Sequence, residues 1–204
     1  LHPLSTALPL CLYESILKLR LRALAVRYVD RDSPGRSRPY ARLLTAIGVT
    51  PSPDTTLANL VDVSNSLGGK GILWELLRSS PVTLDLYVKI CAASPYLSSI
   101  LTTNPGMIDE LVDSLQLDRL PSREALRATL VELCRGASDT LPVLHDFKNA
   151  EHLAIGVRDI LGKEDIDQTH AALADVAETC LEHIVDLEFA RLTEKYGTPT
   201  IGLG

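Results

Sequence analysis

Three dipeptides, Ser80-Pro81, Ser94-Pro95 and Asn104-Pro105, constrain this chain more than any other feature. In each, a side-chain oxygen can accept from the backbone N–H groups that a helix leaves orphaned at its start. The proline that follows has a fixed φ suited to the first helical position, and its missing N–H is not needed there. The middle of the chain is therefore predicted to fold as short rods, over Pro81 to Ala93, Pro95 to Thr103 and Pro105 to Leu115. The unequal spacings of 14 and 10 residues argue against a true repeat array.

Helical spacing continues on both sides. Leu12, Ile16, Leu19, Ala23 and Val26 predict an amphipathic first helix ending near Val29, and Ser33-Pro34-Gly35 marks a linker between Arg31 and Pro39. A short helix over Tyr40 to Ile47 and a turn through Pro51 and Pro53 come next. Asp54 is then expected to cap a helix that stops at Gly68-Gly69. Ser122 should cap another, ended by Gly136, and a longer one is expected from Leu141 to Leu161. The longest runs from Ile166 to Tyr196, closed by Gly197 and Pro199. Only Thr200 to Gly204 reads as the first residues of a strand or glycine turn.

Composition agrees with helices. Leucine supplies 37 of the 204 residues and aromatics only 4%, so the core has to be aliphatic and helix-favouring rather than that of a β-sandwich. The expected fold class is all-α, an antiparallel helical bundle with a helical N-terminal arm. Its expected parts are an arm and linker at 1–39, a bundle at 40–199 and the start of a further domain at 200–204. Leu1 to Leu12 has no initiator Met, basic n-region or long apolar stretch, so it does not resemble a signal peptide, and the sequence reads as a fragment. Charged residues interrupt every apolar run, which predicts no membrane span.

The net charge of −6 is uneven: Lys18 to Arg42 carries +6, leaving −12 elsewhere. An overall acidic surface would repel phosphate, so no nucleic-acid partner is expected. Arg36 and Arg38 in the basic stretch are candidates for docking an acidic protein. Cys11, Cys91, Cys134 and Cys180 lie 80, 43 and 46 residues apart with no CxxC pair, and read as reduced, buried thiols in a cytoplasmic protein.

No pattern in the residues announces chemistry. Gly69-Lys70 has the centre of a phosphate loop, but Ser64 stands where the first glycine belongs and Gly71 where the hydroxyl belongs. Asp165 and Asp167 could hold metal ions if they lay on a strand, yet they open the longest predicted helix, where acidic residues cap N–H groups. His145 and His152 fall seven apart on one helix without the further ligands a metal needs. No catalytic, cofactor-binding or metal-binding residue is assigned.

A family resemblance supplies what these patterns do not. The run Leu73-Trp74-Glu75-Leu76-Leu77 through Ser80-Pro81 is followed by Ile90-Cys91-Ala92-Ala93-Ser94-Pro95-Tyr96-Leu97 and by Asn104-Pro105-Gly106-Met107-Ile108-Asp109-Glu110-Leu111. Phe147-Lys148, Val157-Arg158-Asp159-Ile160-Leu161-Gly162 and Tyr196-Gly197-Thr198-Pro199 then continue in order. Together they resemble the bifunctional glutamine synthetase adenylyltransferase and adenylyl-removing enzymes of bacteria, most strongly from about Ile72 to Gly162. Ser94, Pro95, Asn104, Pro105, Asp109, Glu110, Phe147, Lys148, Asp159 and Gly162 carry the resemblance.

The resemblance implies a long enzyme with two nucleotidyltransferase halves, dependent on ATP and magnesium. One half attaches AMP to glutamine synthetase and the other removes it. This region is similar to the central regulatory part and the helical lead-in to the adenylylating half. Thr200 to Gly204 would open a glycine-rich strand, with the catalytic acidic pair beyond it, so the 204 residues are expected to be inactive alone. Implied partners are glutamine synthetase and a PII-type signalling protein, with glutamine as an effector. The alternative is a generic helical scaffold for protein interaction, without nucleotide chemistry.

Overall fold

A computed structural model describes residues 37–66, 81–107 and 119–199. These residues form helices and connecting turns, with no strand among them, so the fold is all-α. The predicted helix over Leu12 to Val29, the Gly69-Lys70 segment and the expected strand at Thr200 to Gly204 lie outside the described residues. Contacts between helices divide the chain into two units, up to Gly106 and from Met107 onward.

In the first unit the helices are α1 (Ser37–Gly48), α2 (Pro53–Ser66), α3 (Pro81–Ala93) and α4 (Pro95–Thr103). Leu84, Leu86, Tyr87, Val88, Ile90 and Cys91 are all buried, so α3 is apolar around most of its circumference. A helix of that kind needs neighbours on several sides, and α1, α2 and α4 all pack against it. They contribute Leu43 and Ile47, Leu57, Leu60 and Val63, and Leu97, Ile100 and Leu101 to the same core.

Two of the three dipeptide starts fall where the sequence places them, since α3 begins at Pro81 and α4 at Pro95. Ser94 is extended and its side chain accepts from the Leu97 N–H at 3.2 Å. The third behaves differently. The Asn104 N–H donates to the Ile100 carbonyl at 2.8 Å and closes α4, while Pro105 and Gly106 form a turn and helical geometry resumes only at Met107. Asn104 is already the terminus of the preceding helix, so the start moves past Gly106. Another Ser-Pro pair also starts a helix: α2 begins at Pro53, with Ser52 ahead of it, so Asp54 sits in the first turn rather than at the cap. The first described helix also begins at Ser37, three residues before Tyr40 and inside the expected linker.

The second unit contains α5 (Arg123–Cys134), α6 (Thr140–Ile160) and α7 (Ile166–Tyr196), each packed on the other two. Leu126 and Leu130 from α5, Leu144, Phe147 and Ile155 from α6, and Val176 from α7 form its core. Ser122, Asp139 and Asp165 cap the three helices, and Asp165 does so within a full capping box. Its carboxylate accepts from the Gln168 N–H at 2.8 Å while the Gln168 side chain accepts from the Asp165 N–H at 2.9 Å. The Asp165 and Asp167 pair therefore serves a helix start.

The corner between α6 and α7 is the most tightly specified place in this unit. The Lys163 N–H bonds to the Arg158 carbonyl and the Gly162 N–H to the Asp159 carbonyl, each at 2.9 Å, which is a Schellman closure. Gly162 takes the left-handed conformation this requires, with φ of 66°. The Arg158 guanidinium, its side chain only 5% exposed, bonds to the Glu164 carboxylate, 10% exposed, with Nε 2.6 Å from Oε1. Asp159 accepts from the Thr169 hydroxyl at 3.2 Å, tying the end of α6 to the first turn of α7.

Removing one partner of a buried ion pair strands the other charge. Glu164→Ala is expected to lower the stability of this unit by about 3–5 kcal/mol. Ser122→Ala, which deletes an exposed cap, should lower it by only about 1 kcal/mol. Urea unfolding followed through amide exchange in α6 checks both; losses of equal size would reduce the Arg158–Glu164 pair to an ordinary surface contact.

Candidate functional site

Helix α2 turns Asn59, Asp62, Asn65 and Ser66 toward α4, which presents Pro95, Ser98, Ser99, Thr102 and Thr103. Between them is an open cleft of about 530 Å³, within the size range of small-molecule sites. The spacing explains it. On α2 the polar residues recur every three or four positions on a face other than that of buried Leu57, Leu60 and Val63, and the Ser and Thr pairs of α4 recur every four.

The hydroxyls of the cleft share a common orientation. Ser98 donates to the Ser94 carbonyl at 2.9 Å, Ser99 to Tyr96 at 2.7 Å, Thr102 to Ser98 at 2.9 Å and Thr103 to Ser99 at 3.0 Å. Ser66 does the same to Val63 at 2.8 Å. Each proton is committed to the hydroxyl's own helix, so toward the cleft these oxygens act as acceptors. The Asn59 amide donates to the Cys91 carbonyl at 2.9 Å, which fixes that side chain and leaves its oxygen as an acceptor as well. With the Asp62 carboxylate added, the lining suits a ligand rich in N–H donors.

A second group of titratable side chains surrounds the core of the α5–α7 unit. Burial holds the Glu151 carboxyl above its ordinary range. Burial, assisted by the Lys148 ammonium, holds His152 below the usual 6.5. Burial also raises Cys134 and Cys180, which are half-buried, and pushes the fully buried Cys91 up to about 11. These thiols are free and stay protonated near neutrality, which leaves them poor nucleophiles. Cys11 lies outside the described residues. Among the described residues no three His, Cys, Asp or Glu side chains converge as a metal site would require, and His145 is exposed.

The positions that carry the sequence resemblance act mainly as helix boundaries and core. Ser94 caps α4, Pro95 is its first residue and borders the cleft, and Asn104 and Pro105 end it. Phe147 is buried in the core of the second unit, Lys148 lies beside His152 and Cys180, and Asp159 and Gly162 shape the α6–α7 corner. Asp109, Glu110 and Arg36 lie outside the described residues, and Arg38 falls in the first turn of α1. The cleft residues were not singled out from the sequence. The signal available was a polar stripe at helical spacing, which reads equally well as a solvated face.

The chain is built of helices whose boundaries coincide with a family's motifs, and comparison with known proteins agrees. The model of the glutamate-ammonia ligase adenylyltransferase family matches residues 84–202, more than half of the chain. The chain belongs to that family. Among its relatives, the bifunctional glutamine synthetase adenylyltransferase/adenylyl-removing enzyme of Thioalkalivibrio sulfidiphilus is 33% identical over 77% of this chain and 17% of its own length. Its counterpart in Mesorhizobium japonicum is 31% identical over 76% of this chain and 16% of its own, and that of Pseudomonas aeruginosa 29% over 81% and 18%. The chain thus spans about one-sixth of the length of these relatives. No solved structure matches it. No described helix is long and apolar enough to cross a membrane.

Opposite shifts at Glu151 and His152 give opposite pH effects. A carboxyl with a raised folded pKa stabilises the fold at low pH and loses that contribution as pH rises from its ordinary 4.5 through the raised value. A histidine with a lowered folded pKa contributes fully above 6.5 and loses stability as pH falls below it. Glu151→Gln should therefore raise the melting temperature at neutral pH, with the gain shrinking toward acid. His152→Gln should flatten the acid limb of the wild-type curve. Thermal unfolding between about pH 5 and 8 checks both signs.

Proposed function

We propose that this chain is the regulatory helical part of an enzyme that adenylylates and deadenylylates glutamine synthetase, and that it carries an effector site rather than the transfer chemistry. Family membership supports the first half of the reading and does not favour a generic scaffold. The observation that carries the second is the acceptor-lined cleft between α2 and α4. Glutamine offers an ammonium group and a primary amide N–H to the Asp62 carboxylate and the hydroxyl oxygens of α4, and its carboxylate to the amide N–H groups of Asn65. Packed helices that shift as bodies can pass such a binding event to catalytic domains elsewhere in the polypeptide.

ATP and magnesium belong, in this reading, to transferase domains of the complete enzyme. A PII-type signalling protein is the second proposed partner, docking through the basic stretch that includes Arg36 and Arg38, in a cytoplasmic setting. The parts proposed are an arm and linker at 1–39, the regulatory bundle at 40–199 and the opening of the adenylylating domain at 200–204.

Calorimetric titration with glutamine, with and without the PII-type protein, tests this reading. Saturable glutamine binding is expected, lost in Asp62→Ala and in Ser99→Phe, which fills the cleft. Binding that persists in both variants would move the effector site elsewhere. Arg36→Glu with Arg38→Glu should weaken the PII-type protein at low salt and leave glutamine binding unchanged; undiminished affinity at low salt would remove the docking assignment.

A further inference from the structure

The two walls of the α2–α4 cleft converge on Cys91 of α3, which is fully buried. From α2, the Asn59 side chain donates to the Cys91 carbonyl at 2.9 Å. That carbonyl has no partner along its own helix, because the residue four positions on is Pro95, which lacks an N–H. From α4, the Ser98 hydroxyl bonds to the Cys91 thiol, and burial keeps the thiol protonated. Ser98 gives its own proton to the Ser94 carbonyl at 2.9 Å, so the thiol donates and the Ser98 oxygen accepts.

Burial divides the lining into a floor and a rim. Ser98 is only 3% exposed and Asn59 is half-buried, whereas Asp62, Asn65 and Ser99 are exposed. The floor has its hydrogen-bonding pattern fixed from beneath. A carbonyl only accepts, so Cys91 holds the Asn59 amide by one N–H and leaves the other N–H and the oxygen for the cleft. Those two groups match the carbonyl and one N–H of a primary amide, and the Ser98 oxygen can take the second N–H. A carboxylate satisfies only the Asn59 N–H. Its second oxygen meets two acceptors, Asn59 Oδ1 and Ser98 Oγ, where burial makes an unmatched charge costly.

We propose that Asn59 and Ser98 make the cleft floor selective for an uncharged primary amide over a carboxylate, while Asp62 and Asn65 at the rim hold the amino-acid end of the ligand. The proposal rests on the reading of this cleft as a glutamine site and adds what tells glutamine from glutamate there. The two amino acids share their ammonium and α-carboxylate groups and differ only at the far end of the side chain. The rim therefore treats them alike, and discrimination falls to the floor. Asn59 and Ser98 are specificity-determining residues, and the Cys91 carbonyl orients the first of them.

Nuclear magnetic resonance of the 204-residue chain tests it, read at the Asn59 side-chain amide and the Cys91 carbonyl carbon. The probes are L-glutamine, L-glutamate and two mimics of their side-chain ends, propionamide and propionate. Glutamine and propionamide should shift both signals saturably, and propionate should leave them unmoved. Glutamate should bind at least about tenfold more weakly than glutamine. Ser98→Ala should bring the two amino acids within about threefold of each other, whereas Asp62→Asn should weaken both by the same factor. Equal affinity of the wild-type chain for glutamine and glutamate overturns the proposal, as does a preference that Ser98→Ala leaves intact. The mimics bypass the rim and so separate two failures. Floor signals that respond to propionamide in a chain that does not bind glutamine would end the effector reading and leave the amide-selective floor standing. Glutamine binding that leaves those signals unmoved would keep the effector reading and overturn the floor assignment. If neither amide moves them, the proposal falls.

Discussion

Each helix leaves four N–H groups and four carbonyls without an internal partner, and satisfying them governs where this chain turns. Ser94, Ser122, Asp139 and Asp165 accept from N–H groups at four helix starts. At the other ends, Gly136, Gly162 and Gly197 supply the positive φ that lets the chain leave a helix. These groups fix most helix ends within a few residues of where they stand. The apolar residues that remain inside each rod then decide which faces meet.

The two units use that framework differently. In the first, α3 is surrounded and the other helices are arranged by its need for partners on several sides. The cleft follows from this arrangement. Helices α2 and α4 both turn their apolar residues toward the core, so their polar faces meet the solvent side by side and enclose acceptor oxygens between them. In the second unit, the α6–α7 corner is held by the Schellman closure, the Arg158–Glu164 pair and the Asp159–Thr169 bond acting together. The family motif through Gly162 coincides with this corner.

The same contacts make the corner rigid. A corner specified by a buried ion pair and a left-handed glycine fixes α6 and α7 against each other. The cleft of the other unit lies between two helices that both pack on α3.

The sequence by itself determined the all-α class and most helix ends, because caps, prolines and glycines act within a few residues of where they stand. It also revealed the family, through motifs whose described residues lie mainly at helix boundaries and in the core. It misplaced the start at Asn104, which already closes the preceding helix, and the cap at Asp54, which sits one residue inside a helix that begins at Pro53. Only the tertiary structure decided that Arg158 and Glu164 are buried against each other, that Glu151 and His152 are desolvated, and that polar stripes on α2 and α4 face one another across a cleft. The physical reason is distance: a stripe at helical spacing names a face of a rod, and what that face meets is set by packing between residues some 30 to 40 positions apart.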